Sequence, residues 1–405
     1  MRFFHVSDLH LGKTLHGYEL LDDQAFVLKA LVGKIAEAKP DALLIAGDVY
    51  DRAVPPVDAI ELFDAFLRSA RAAAPGLQVV VVPGNHDSAG RLAFGASLMA
   101  DAGLRIAARV AAEPVFVMGD GAGKVAVCAL PFLTQASAPW GEMAAADGAK
   151  GDGAVGGGAA IRSQQEMMRL AIGSIRAAME EGGAHVLVAH CFAAGGLAGD
   201  SELAYVGATE QVDTSLFEGF DYVALGHLHA MQSPAPHVWY SGTPLAYSVK
   251  EGEKDQGFLS VEVLPGITPR VEFIPLLPRR RLRKLSGCFA DLLANPLPES
   301  QRDDYMEIHL RDEEPVLNAG ERLKALYPHC LEVLQRAFEL RYGESGDGEA
   351  ALDGLRRARN GAPDRLETVR KDFLDFHREM TGEAPPDSLV AAFEAIAREA
   401  VDASN

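Results

Sequence analysis

Short runs of consecutive apolar residues recur along the chain at 3–6, 42–46, 79–82, 125–130, 186–189, 222–225 and 258–263, each closed by a turn or by polar residues. Such short, predominantly apolar runs predict strands buried on both faces of a covered sheet. Between the early runs the apolar period lengthens to that of a helix. Phe26, Val27, Ala30, Leu31 and Ile35 recur over 24–38, and Ile60, Leu62, Phe63, Phe66 and Leu67 over 57–73. Strands alternating with helices predict an α/β architecture.

Past residue 264 the texture changes. Pro265, Pro269, Pro275 and Pro278, followed by Arg279, Arg280, Arg281, Arg283 and Lys284, suggest a domain boundary. Beyond it, 305–310 alternates like a strand, 318–326 has helical spacing and 331–334 suits a second strand, together a small α+β module. A polar, glycine-rich stretch at 343–354 leads into a helical tail over 364–403. One apolar stripe there carries Leu366, Val369, Phe373 and Phe376, and another Leu389, Ala392, Phe393, Ile396 and Val401, with Pro385 and Pro386 between them. The segment 141–160, rich in glycine and alanine, predicts a flexible surface loop.

Composition adds a class. A hydrophobic content of 48% with 23% charged residues is that of a globular protein large enough for two or three domains. No run approaches the ~20 apolar residues of a membrane helix. The strand-like start leaves no room for a secretory signal, so the expected location is cytoplasmic, with no membrane partner. Cys128, Cys191, Cys288 and Cys330 are scattered without a CxxC pair, which argues against a disulfide framework or a zinc ribbon and predicts four buried thiols. The net charge of −19 opposes a simple DNA binder, since affinity for DNA rests on neutralised phosphates. Bound divalent cations would reverse that sign locally. The basic cluster at 279–284 reads either as a solvated linker or as a contact to DNA or a partner.

The chemistry lies at strand ends. Asp8 and His10 follow the first run at i, i+2 spacing; Asp48 follows the second; Asn85, His86 and Asp87 follow the third. His190 follows the run at 186–189, and His227 and His229 the run at 222–225. In an α/β sheet the carboxyl ends of strands meet at one crevice. Carboxylate, amide oxygen and imidazole without thiolate suit Mn²⁺, Fe or Zn²⁺. The set exceeds the needs of one four-coordinate zinc and fits two metals about 3.5–4 Å apart with Asp48 as the bridge. A water activated between the metals needs no protein nucleophile, and neither a GxSxG turn nor a GxxxxGK[ST] loop is present. His86 is placed to donate a proton to the leaving oxygen or to stabilise the transition state, and Asp87 to orient a histidine. The remaining histidines, His5 among them, read as packing.

The order DxH, GD, GNHD, H and GHxH resembles that of the calcineurin-like metallophosphoesterases, and within them the SbcD nucleases. The resemblance rests on Ser7-Asp8-Leu9-His10-Leu11-Gly12-Lys13, on Gly47-Asp48-Val49-Tyr50-Asp51 before Pro55-Pro56, and on Gly84-Asn85-His86-Asp87-Ser88 before Arg91-Leu92. It continues in Leu130-Pro131-Phe132-Leu133, Ser201-Glu202, and Gly226-His227-Leu228-His229 leading to Tyr240-Ser241-Gly242-Thr243-Pro244. It implies a β-sandwich flanked by helices over 1–268, a DNA-capping domain over 269–345 and a helical tail over 346–405 that docks on an ATPase partner. It implies that Asp8, His10, Asp48 and His229 hold one metal and Asp48, Asn85, His190 and His227 the other, with His86 catalytic. The implied cofactor is a pair of divalent ions, Mn²⁺ by family preference. The implied activity is cleavage of DNA as a 3′-to-5′ exonuclease and a hairpin and single-strand endonuclease. The implied assembly is a homodimer bound to two SbcC-type SMC-like ATPase subunits, acting in DNA repair at the nucleoid. The expected twofold contact lies between helices near 57–73 and 91–102.

Overall fold

The computed structural model describes residues 1–119, 123–146, 163–197, 211–336 and, in the tail, Pro385, Pro386, Leu389, Val390 and Phe393. Ser201-Glu202, His377, the stretch 147–160 and the tail's remaining stripe residues lie outside the described residues. Two compact units are present. The first comprises Met1–Leu285, Pro296–Ile308 and Gly320–Val333.

Two six-stranded sheets form the core of that unit. The first has the order Ile267–Pro275, Gly257–Leu264, Arg2–Val6, Ala42–Ala46, Gln78–Val82, Leu104–Ile106, and the second Gln232–Ala235, Val238–Tyr240, Tyr222–Gly226, Ala184–His190, Val125–Leu130, Phe116–Met118. In the first sheet the strands from Arg2–Val6 to Leu104–Ile106 pair parallel and the hairpin of Gly257–Leu264 and Ile267–Pro275 pairs antiparallel; in the second the four inner strands pair parallel and both edge strands pair antiparallel. Strands apolar throughout are explained by what covers them. Phe3, Leu44, Val80 and Leu259 of the first sheet pack on Val127, Val186, Val188 and Ala224 of the second. The outer face of the first sheet, through Phe4, Ile45 and Val81, is covered by Val27, Leu31, Phe63 and Phe66. The outer face of the second, through Leu187 and Leu225, is covered by Met168, Ile172 and Ile175 of the helix Gln164–Ala178. The architecture is therefore a helix-flanked sandwich, as the apolar runs predict.

Several expectations shift in detail. The first helix begins earlier, at Leu21, and turns Asp23 and Gln24 inward while Phe26 stands 47% exposed. Ile60 faces outward, and Ala59, Phe63, Phe66 and Ala70 are the buried positions of Val57–Ala73. The proline-marked stretch is not linker throughout. Ile267–Pro275 is an edge strand paired antiparallel with Gly257–Leu264, so the hairpin runs through the expected boundary at 268/269. An edge position tolerates Pro269 because the outward side needs no ladder donor. Trp140–Ala146, expected as loop, is helix. Cys128, Cys191 and Cys330 are buried as expected, but Cys288 is exposed.

Tyr305–Leu310 and Cys330–Gln335 are strands and Ala319–Lys324 is helix, close to the expected bounds. The second unit includes Ser286–Asn295 and His309–Ala319. Within it the helix Phe289–Ala294 buries Phe289 and Leu292, and the Phe289 amide donates to Asp312 Oδ2 at 2.8 Å.

Candidate metal centre

Five strands, Arg2–Val6, Ala42–Ala46, Gln78–Val82, Ala184–His190 and Tyr222–Gly226, bring every expected donor to one place. The first two loops are laced together by their backbones: Asp8 N donates to Gly47 O at 3.0 Å and His10 N to Asp48 O at 2.9 Å. The sheets pinch together here. A Cβ on Gly226 would overlap the Ala46 carbonyl and one on Gly84 the Asp48 carboxylate, which explains glycine at both positions. Among the described residues seven non-glycine residues have positive φ, and four belong to the constellation: Asp8 (55°), His10 (43°), Asp48 (48°) and His227 (110°). Such backbone costs about 1–3 kcal/mol per residue and persists where the surroundings enforce it.

The donor atoms converge. His10 Nε2 lies 3.2 Å from His229 Nε2. Asn85 Oδ1 lies 3.0 Å from His190 Nε2 and 3.0 Å from His227 Nδ1. Between these two groups sits Asp48, its Oδ2 3.8 Å from His10 Nε2 and 3.5 Å from His190 Nε2. Its Oδ1 accepts the His86 amide at 2.9 Å. Asp8 accepts the His227 amide at 3.0 Å and Ser7 Oγ at 2.5 Å. Asp8 with His10 and His229, and Asp8 with Asp48 and His190, each present donor atoms within 4.8 Å of one another. A third such group joins His10, Asp48 and His86.

Burial sets the electrostatics. Desolvation pushes the Asp48 carboxyl well above its usual range, and the neighbouring Asp8 and Asp87 charges add to that. Desolvation likewise holds His10 and His190 well below the usual imidazole value and His227 at about 4, with neighbouring histidines adding to each. Neutral imidazoles whose ring nitrogens face one another, beside carboxylates crowded in low dielectric, lack only positive charge. The donors therefore fit two divalent cations, with Asp48 reaching both groups.

The surroundings fix the donors. His190 Nδ1 donates to Ala46 O at 2.9 Å, which leaves Nε2 as the donor atom. His86 Nδ1 donates to Asp51 O at 2.9 Å. Asp87 does not meet the expectation that it orients a histidine through a hydrogen bond. Its carboxylate instead accepts the amides of Val49 at 3.0 Å, Tyr50 at 2.9 Å and Gly84 at 2.9 Å, and so clamps two ligand loops together. Two participants were missed by sequence reasoning. Gln24 anchors the Asp8–His10 loop from the first helix, and Glu251 places Oε1 3.2 Å from His229 Nδ1. Gln24 had no motif to mark it. Glu251 had a faint one, because Ser248-Val249-Lys250-Glu251 is a helix-capping sequence in which Ser248 Oγ accepts the Glu251 amide at 3.2 Å.

The basic cluster is partly consumed internally. Arg280 pairs with Asp23 at 2.9 Å and Asp303 at 3.1 Å, and Arg283 with Asp304 at 2.5 Å. Arg279, Arg281 and Lys284 are exposed.

Residues 1–129 match the calcineurin-like phosphoesterase family. Residues 278–368 match the type 5 capsule protein repressor C-terminal domain, the SbcD C-terminal domain. Among solved structures, the chain is similar to a dimetal phosphatase from Danio rerio at 12% identity, over 67% of this chain and 98% of that one, with a TM-score of 0.37. It is also similar to the protein TT1561 of Thermus thermophilus at 13% identity, over 67% of this chain and 98% of that one, with a TM-score of 0.35.

Proposed function

We propose that this chain, whose segments 1–129 and 278–368 match the calcineurin-like phosphoesterase and SbcD C-terminal families, is a metal-dependent phosphoesterase of the SbcD type that cuts DNA phosphodiester bonds as the nuclease subunit of a DNA repair complex. The observation that carries this reading is the presence, in one chain, of the complete donor cluster and of a C-terminal segment matching the SbcD domain.

In this reading Asp8, His10, Asp48 and His229 hold one ion, and Asp48, Asn85, His190 and His227 the other, with Mn²⁺ in both. Bound there, divalent cations supply Lewis acidity at the phosphoryl oxygens and make a water acidic enough to attack phosphorus in line near neutral pH. The chain's own part is geometric and protonic. Asp48, held by its strained backbone, and Asn85, on the loop that Asp87 clamps, fix the donor positions before substrate arrives. His86, anchored through Nδ1 to Asp51 O, exchanges a proton with the leaving oxygen at Nε2.

Residues 269–345 serve as the DNA-capping domain, and the tail, 346–405, docks on an SbcC-type ATPase. The active form is a homodimer within a heterotetramer, located in the cytoplasm at the nucleoid. Two features support the expected twofold contact: Val57 and Ile60 stand 66% and 46% exposed on one segment, and Phe94 and Leu98 stand 83% and 86% exposed on the other. With Arg280 and Arg283 committed to internal pairs, any DNA contact by the basic cluster falls to Arg279, Arg281 and Lys284.

The test is cleavage of a hairpin-ended linear DNA in Mn²⁺, beside His86→Ala and a chelator control. Cleavage by the unaltered protein alone, abolished by chelator, is expected. Inert DNA alongside rapid hydrolysis of a cyclic nucleotide would refute the nuclease reading in favour of a small-substrate phosphoesterase.

A further inference from the structure

His190 and His229 stand at opposite ends of the donor cluster, and each has its second ring nitrogen fixed by an oxygen. For His190 that oxygen is the neutral carbonyl of Ala46, at 2.9 Å. For His229 it is a carboxylate, Glu251 Oε1, at 3.2 Å. The difference matters because a carboxylate partner raises the basicity of an imidazole and a carbonyl does so far less.

Glu251 is itself held from all sides. Its Oε2 accepts the Tyr247 amide at 2.8 Å, its own amide donates to Ser248 Oγ at 3.2 Å, and its carbonyl accepts from Gln256 Nε2 at 2.8 Å. The side chains of His229 and Glu251 are 8% and 12% exposed, so water competes little for the bond between them. The Tyr247 hydroxyl donates to the Leu9 carbonyl, and Gln24 Nε2 donates to that hydroxyl at 3.2 Å. The short helix Val249–Gly252 is thereby tied to the loop that carries Asp8 and His10.

We propose that Glu251 is a positioning residue for the metal centre, holding His229 in the Nδ1–H tautomer so that its Nε2 lone pair faces the position shared with His10 Nε2. The inference rests on the two-ion reading of the cluster and is independent of whether the substrate is DNA. Deprotonated Glu251 accepts from His229 Nδ1–H, adds negative charge behind the ligand and confines the ring to one orientation. Its loss affects the ion held with Asp8 and His10 and spares the one held with Asn85 and His190.

The test uses the full chain and Mn²⁺ itself, in a calorimetric titration paired with ¹⁵N spectra of the histidine rings recorded in chelator. The unaltered protein is expected to bind two ions, with His229 as the Nδ1–H tautomer. Glu251→Ala is expected to weaken one of the two sites by about 10–100-fold, leave the other unchanged and shift His229 towards Nε2–H. Glu251→Gln, which retains the size and one acceptor oxygen, is expected to keep the tautomer and lose less affinity than alanine. Should the alanine variant fail to fold, the glutamine variant decides, with one weakened site supporting the proposal and two unchanged sites overturning it. Unchanged affinities and an unchanged tautomer in Glu251→Ala would overturn it directly. An unaltered protein that binds fewer than two ions would instead refute the two-ion reading.

Discussion

Gln24 donates its side-chain amide to the His10 carbonyl at 2.7 Å from a position only 2% exposed. The same amide reaches the Leu9 carbonyl at 3.2 Å, and Gln24 Oε1 accepts the Gly12 amide at 3.0 Å. One side chain of the first helix thus satisfies the backbone of the strained turn that presents Asp8 and His10. Gln24→Leu keeps the volume and strands those buried groups. We predict a loss of about 1–3 kcal/mol in unfolding free energy, measured in urea, with weaker Mn²⁺ binding.

Across the sandwich, His5 Nδ1 accepts from the Tyr222 hydroxyl at 2.8 Å and Nε2 donates to Leu225 O at 3.1 Å, joining the two sheets. The bond from Tyr222 requires an unprotonated Nδ1, and burial, outweighing the Leu225 bond that favours the charged ring, pushes its pKa down to about 3. The unfolded chain takes up this proton near pH 6.5 while the folded one refuses it until about 3. Stability is therefore complete above the unfolded value and falls as pH drops from about 6.5 towards 3, by up to a few kcal/mol. His5→Gln should flatten that slope in denaturant melts run in chelator, at the cost of some stability at pH 7.5. An identical slope in both proteins would remove His5 from the account.

Asp87 holds three amides from two loops, and hydrogen bonds to a charged group are worth about 1.5–3 kcal/mol each. Asp87→Ala is predicted to cost about 3 kcal/mol or more and to abolish phosphodiesterase activity. Circular dichroism at a temperature where the variant remains folded separates the two effects: lost activity in folded protein is the expected result.

Phe94 and Leu98 project into solvent from the segment expected to meet its twin. Phe94→Glu with Leu98→Glu should convert a dimer to a monomer by light scattering and leave hydrolysis of a small phosphodiester intact. A variant that stays dimeric would place the contact elsewhere.

Much of this was legible in the sequence because the chemistry sits where strands end. Short apolar runs located the central strands, and the polar residues following them, Asp8 to His229, lie together in the fold. The outer strands were not legible. Gln232–Ala235, Val238–Tyr240 and Ile267–Pro275 carry mixed or proline-interrupted patterns and are strands because a neighbour offers a ladder, which no local pattern records. Phe26 and Ile60 were misplaced because apolar identity does not fix the rotational phase of a helix. Gln24, Asp87 and Glu251 were missed or misread for one reason. Each acts on a backbone or ring brought close only by folding, 14 residues away for Gln24 and His10, 38 for Asp87 and Val49, and 22 for Glu251 and His229.

In the reading proposed above, a single donor cluster holds two cations through the shared Asp48. Calorimetric titration of the metal-free chain with Mn²⁺, beside Asp48→Ala, tests it most directly. Two ions are expected for the unaltered chain, with marked weakening at both sites in Asp48→Ala. A single ion per chain, or a variant that loses one site and keeps the other intact, would contradict it.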